Sequence, residues 1–157
     1  MNVELRLSNV GVLAMKCWQK IPEHFHHVKL DEFTVMPNHL HGILIFNRNS
    51  RDTACRVPTA EKFSIPVAGS LPTIIRSFKS AVTKRVNILH QTPGAIFWQR
   101  RYYEHVVRNE KELNSIREYI VNNQARWAFD RENPGLYKKN NNYQDEVLLS
   151  RYSPKFR

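Results

Sequence analysis

The chain predicts an α+β domain in which helices lie on one face of an antiparallel sheet. Three observations carry that expectation. First, 157 residues suit one domain that buries about two thirds of its unfolded surface. Second, apolar residues recur at helical spacing in some stretches and crowd into β-rich runs in others. Third, these stretches follow the order helix, strand, strand, helix, strand, helix, which suits layered α+β packing.

Residues 11–21 (GVLAMKCWQKI) read as a short helix with Leu13, Cys17 and Ile21 at helical spacing. Residues 28–36 (VKLDEFTVM) are β-rich, and Pro37-Asn38 then reads as a tight turn. The chain returns as a strand over 39–46, so 28–46 predicts an antiparallel hairpin. Pro does not suit the primed turns that hairpins prefer, so the turn is expected to be irregular. Both faces of 39–46 are apolar beyond its first residues, which predicts a central strand. Residues 47–68 are polar, Pro- and Arg-containing and aperiodic, as in a long loop. Ser70 is a good N-cap, and Pro72 is tolerated in the first turn that follows. Leu71, Ile74, Ile75, Phe78, Val82, Val86 and Leu89 form that helix's apolar stripe, and TPGA at 92–95 stops it. "IFWQRRYYEHVVR" at 96–108 reads as a strand. Asn109 and Glu112 then resemble a capping box for a helix over 110–123, with Leu113, Ile116 and Ile120 inward. Helix can continue through 124–135 until Asn133-Pro134-Gly135 ends it. A split βαβ arrangement needs one further strand before the first helix, and only NVELRLS at 2–8 is available there.

Composition narrows function. No run of about 18 apolar residues exists, so no membrane span is expected, and no secretory signal is visible. Cys17 and Cys55 are far apart and form neither a disulfide framework nor a zinc pattern, as suits a reducing cytoplasm. Lys and Arg total 24 against 14 acidic residues, a formal charge of +10. That excess favours a polyanion, nucleic acid before anionic membrane. Arg76, Lys79 and Lys84 lie off the apolar stripe of their helix, and Arg100 and Arg101 interrupt the aromatic run that follows.

The chemistry-bearing residues are few. His39 and His41 share one face of their strand, about 7 Å apart, and two neutral imidazoles so placed can converge on one metal ion. Taken alone, the pair is better read as two structural histidines. The "HFHH" group (His24, His26, His27) sits at a connection and is expected to be solvated surface. Tyr119 and Asn123 are one turn apart on the edge of an apolar stripe. Combined, two imidazoles, an amide and a tyrosine suit phosphoryl chemistry. A cation would offset charge on a phosphate and favour the phenolate of a nucleophilic tyrosine. Trp98, Tyr102 and Tyr103 are placed either to stack bases or to pack a core.

"MPNHLH" followed by "FWQRRYYEHVVRNEKELNSIREYIVNNQ" resembles the single-tyrosine HUH transposases, in particular the REP-associated tyrosine transposases. HUH denotes His-hydrophobic-His, matched by His39-Leu40-His41, and the resemblance covers roughly residues 28–134. It implies a ferredoxin-like (RRM-like) antiparallel sheet within a catalytic domain over 1–135, followed by a basic polar tail over 136–157. It also implies Mg²⁺ or Mn²⁺, and a single-stranded DNA partner that folds into hairpins at palindromic repeats. The implied activity is cleavage and strand transfer through a 5′-phosphotyrosine link, in a prokaryotic, nucleoid-associated cytoplasmic protein. Residue by residue, Tyr119 matches the nucleophile, His39 and His41 match two metal ligands, and Asn123 matches the helix residue that completes the metal site. Arg76, Lys79, Lys84, Arg100 and Arg101 are the expected DNA contacts, and monomer and homodimer both stay open. The chain departs from the family in two places. Met1 stands without the apolar strand that usually precedes the region matched by NVELRLSNVG, and Gln124 replaces a proline. The first departure motivates an alternative expectation, a repeat-hairpin DNA-binding protein that has lost transposition.

Overall fold

The computed structural model describes residues 7–47, 67–129 and 133. Most of the 2–8 segment, most of the 47–68 loop and the whole 136–157 tail therefore lie outside the described residues. The described part is α+β, with a two-stranded antiparallel sheet and four helices.

Helix α1 (Asn9–Gln19) starts where Ser8 accepts the Gly11 amide on its hydroxyl at 3.2 Å. It stops two residues earlier than the apolar spacing suggests. Pro22 lacks an N–H for the Trp18 carbonyl, so the helical path breaks there. Ile21 instead opens the four-residue helix α2 (Ile21–His24) and stays buried. His24 and His26 are exposed as expected, whereas His27 is half-buried and its Nε2–H donates to the Gly69 carbonyl at 2.9 Å.

Strands β1 (Val28–Val35) and β2 (Leu40–Phe46) form the hairpin. The Met36 amide donates to the His39 carbonyl at 2.9 Å and closes the Pro37-Asn38 turn. Leu30 faces Leu44 and Phe33 faces Gly42, so β1 holds one extra residue in a bulge at Asp31-Glu32. Val28, Leu30, Phe33 and Val35 share a face with Phe46, Leu44, Gly42 and Leu40. That face carries the main core. Trp18 of α1 lies against Gly42 so closely that a Cβ there would stand 2.3 Å from the indole. Phe78 meets the Trp18 ring edge-on at 5.3 Å, and Phe33 meets it at 6.3 Å.

Helix α3 (Leu71–His90) supplies Ile74, Phe78, Val82 and Val86 to this core. Ser70 caps it as expected, accepting the Thr73 amide at 3.4 Å. Leu89 departs from the expected stripe and is half exposed. The reason is length: α3 spans about 30 Å while its neighbour α1 spans about 16 Å, so the last turn overhangs. Gln91, in the left-handed region at φ 55°, ends α3 before TPGA is reached.

Two expectations fail in an instructive way. Residues 96–108 form no strand. Trp98 packs on Phe78 at 5.6 Å, and its indole N–H donates to the Lys79 carbonyl at 3.1 Å. The Lys79 ammonium in turn donates to the Gln99 and Arg101 carbonyls at 2.9 and 3.3 Å. Alternate carbonyls that a neighbouring strand would use are taken by one lysine. The helices also do not all lie on one face. Helix α4 (Glu110–Arg126) meets the other face of the hairpin, where Asp31 and His41 project. On that face Ile43 is buried while Ile45 stays exposed. Among the described residues β2 has β1 as its sole strand neighbour.

The chain divides into two compact units, Met1–Ala125 and Arg126–Arg157. In the second, Trp127–Phe129 forms a 3-10 turn, and Asn133 donates its amide to the Trp127 carbonyl at 2.9 Å.

Candidate active site

The hairpin turn delivers the two histidines. Their rings pack edge to face with centroids 4.6 Å apart, closer than the strand repeat that separates their backbones. The Nδ1–H of His39 donates to the Asn38 side-chain oxygen at 2.6 Å. An amide oxygen only accepts, so this bond holds the proton on Nδ1 and turns Nε2 into the ring's lone-pair nitrogen. Asn38, which reads in the sequence as a turn former, thus also orients His39. Its adjacency to the histidine was the available clue.

Helix α4 delivers the tyrosine. Asn109 caps its start by accepting the Glu112 amide at 2.9 Å, and Glu112 reaches back to the Arg108 amide at 3.0 Å. His105 adds a 2.7 Å contact to the same carboxylate. The Arg108 amide and His105 hold the Glu112 carboxyl below its ordinary value. Near the middle of the helix, the Tyr119 ring meets the His41 ring edge to face at 5.4 Å. Tyr119 is half exposed. The structure therefore brings His39, His41 and Tyr119 into one row of rings.

Asn123 lies one turn beyond Tyr119 on the same flank of α4 and is 3% exposed. Its side-chain nitrogen has no hydrogen-bond partner. A buried amide left so costs stability, whereas an amide oxygen turned to that position would suit a cation. Among the described residues no three His, Cys, Asp or Glu side chains are grouped to hold a metal. Asn123 offers an amide oxygen, a donor of another type.

Asp31 and Arg117 went unnoticed in the sequence. The guanidinium grips both oxygens of the Asp31 carboxylate, with Nε donating to Oδ1 at 3.2 Å and to Oδ2 at 3.0 Å, and Nη2 donating to Oδ2 at 2.6 Å. The Arg117 hydrogen bonds hold the Asp31 carboxyl below its ordinary range, and the Asp31 carboxylate raises the guanidinium value in return. Neither residue stands in a recognisable motif, and 86 positions separate them.

The basic candidates gather elsewhere. Lys79 stands 5.9 Å from the Trp98 ring centroid and 5.7 Å from that of Tyr102, on α3, the helix that covers the opposite face of the hairpin. Burial pushes its ammonium below lysine's ordinary value. Arg76, Lys84, Arg100 and Arg101 are exposed, as are Tyr102 and Tyr103. The structure does not group Lys79 and its aromatic neighbours with the histidine row.

No family model matches the chain. No solved structure matches it. The sequence is 38% identical over 135 residues to an uncharacterized protein of Haemophilus influenzae strain Rd, an alignment that spans 82% of this chain and 72% of the relative. The chain belongs to the family of that Haemophilus influenzae protein.

Proposed function

We propose that the chain is a tyrosine strand transferase for single-stranded DNA, of the HUH type found in REP-associated transposases, acting at hairpin-forming repeats. The observation that carries the reading is the convergence of His39, His41 and Tyr119 on one face of the hairpin. In this reading Tyr119 is the nucleophile. Its phenolic oxygen bonds to a backbone phosphorus as the bond to the 3′ oxygen breaks, and the DNA leaves with a free 3′-hydroxyl. The number of phosphate ester bonds is unchanged, so a second 3′-hydroxyl can rejoin the strand without ATP. His39, His41 and Asn123 would hold Mg²⁺ or Mn²⁺, which supplies charge neutralisation at the phosphate. Asn38 keeps the His39 lone pair on Nε2. The exposed Arg100, Arg101, Tyr102 and Tyr103, with Arg76 and Lys84, suit the phosphates and bases of an unpaired strand. The finer architecture in this reading is a ferredoxin-like sheet built around the hairpin.

The test is incubation with labelled hairpin DNA and Mn²⁺, followed by denaturing electrophoresis. The reading expects a covalent adduct that Tyr119→Phe abolishes and that His39→Ala weakens far more than it weakens DNA binding. Undiminished adduct from Tyr119→Phe removes the assigned nucleophile. A second reading is a hairpin-binding protein without cleavage. The two-stranded sheet and the absent ladder at 96–108 favour it, because they leave the expected fold incomplete among the described residues. It expects salt-sensitive hairpin binding and no adduct with either metal.

A further inference from the structure

We infer that the Asp31–Arg117 pair is a positioning clamp, one that sets the roll of helix α4 and so aims Tyr119 at the histidine row. The inference rests on the strand-transferase reading for its catalytic consequence, though its geometry stands apart from it. At about 100° per residue, Arg117 and Tyr119 fall about 160° apart around α4. Leu113, Ile120, Ile116 and Asn123 all lie within that arc. The clamp therefore sits on one flank of the inward stripe and the tyrosine on the other. Ile120 and Asn123 are buried between them.

A helix laid on a surface by an apolar stripe can still roll about its axis, because apolar contact has no direction. A bidentate guanidinium–carboxylate contact does have one. The carboxylate is itself held. Asp31 Oδ1 accepts the Glu32 amide at 2.8 Å within the β1 bulge, which turns the side chain toward α4. The guanidinium is held as well, since its Nη1 donates to Asn114 at 3.0 Å and to Glu110 at 3.3 Å, both on α4. At a side-chain radius of about 6 Å, a roll of about 20° would move a Tyr119 atom by about 2 Å. A misplacement of about 1 Å can slow a reaction on the order of 100-fold.

The experiment uses Asp31→Asn, Arg117→Met and the exchanged pair Asp31→Arg with Arg117→Asp, each in the full chain. Two readouts are taken. One is the ring-to-ring nuclear Overhauser effect between Tyr119 and His41, which needs neither DNA nor metal. The other is the single-turnover rate of adduct formation on hairpin DNA with Mn²⁺, measured beside the DNA dissociation constant. The clamp expects the Tyr119–His41 effect to weaken in both single variants and to recover in the exchanged pair, with helix content unchanged. It expects adduct formation to slow about 10- to 100-fold while DNA affinity shifts by less than about 2-fold. A Tyr119–His41 effect of full strength in both single variants overturns the clamp, even if the melting temperature falls. If the unaltered protein forms no adduct, the strand-transferase reading fails, and the ring-to-ring effect still decides the positioning role.

Discussion

Adding one methyl group at Gly42 tests the packing that holds the histidine strand. The Cβ of Gly42→Ala would stand 2.3, 2.9 and 3.1 Å from three atoms of the Trp18 ring, where ordinary contact begins at 3.4 Å. The indole must therefore retreat by about 1.1 Å from its nearest point. It has little room to do so, being 3% exposed with Phe78 against its edge at 5.3 Å and Phe33 at 6.3 Å. Overpacking of this kind costs about 1–3 kcal/mol. Alanine recovers about 0.5–1 kcal/mol because glycine in a strand is entropically costly. The net expectation is a loss of about 1–2 kcal/mol, a fall of several degrees in melting temperature for a chain of this size. Urea unfolding followed by tryptophan fluorescence measures it. Trp18→Leu removes the obstacle, so Gly42→Ala in that background should cost nothing, and the cycle should show a coupling of about 1–3 kcal/mol. A Gly42→Ala chain as stable as the parent, or the same loss in both backgrounds, would refute the packing argument.

Three further outcomes follow from other sites. Gln91 holds a left-handed backbone at φ 55°, so Gln91→Gly should raise stability by up to about 1 kcal/mol in the same unfolding assay. Lys79→Met removes two hydrogen bonds to the Gln99 and Arg101 carbonyls while leaving the Trp98 bond to the residue 79 carbonyl, so trypsin should cut after Arg100 and Arg101 about 5- to 10-fold faster. Unchanged cleavage would mean the ammonium does not hold the segment. The Glu112 carboxyl lies below its ordinary value, so its cap on α4 is complete above the ordinary glutamate range near about 4.3. By linkage that contribution falls progressively as pH drops below the ordinary range and is gone once pH passes the lower, folded value. A carboxyl titration by NMR should place the Glu112 midpoint below that of free glutamate, and an unshifted midpoint would contradict the contacts to Arg108 and His105.

Local features were legible in the chain. Ser70 and Asn109 cap their helices, the Pro37-Asn38 turn closes a hairpin, and Ile74, Phe78, Val82 and Val86 point inward. Each depends on residues a few positions apart, where propensity and periodicity act. The shared face of His39 and His41, and of Tyr119 and Asn123, was likewise set by spacing alone. That the first three of these meet was settled by tertiary packing.

The misreadings have one cause. Residues 96–108 have β-forming side chains, but a strand also needs a neighbour, and here Lys79 took the carbonyls while Trp98 took the core. The two apolar faces of β2 predict strand neighbours on both sides, and among the described residues β1 is the one that pairs with it. Asp31 and Arg117 join the hairpin to α4 across 86 residues, and no local pattern couples them. The hairpin strands, the helices and their caps were legible along the chain because they follow from interactions within a few residues, whereas 96–108 was not. Tertiary structure alone decided which elements pair, which face each helix meets, and hence that an exposed tyrosine stands beside two histidines. Those choices compare contacts between distant segments, and periodicity along the chain carries no record of them.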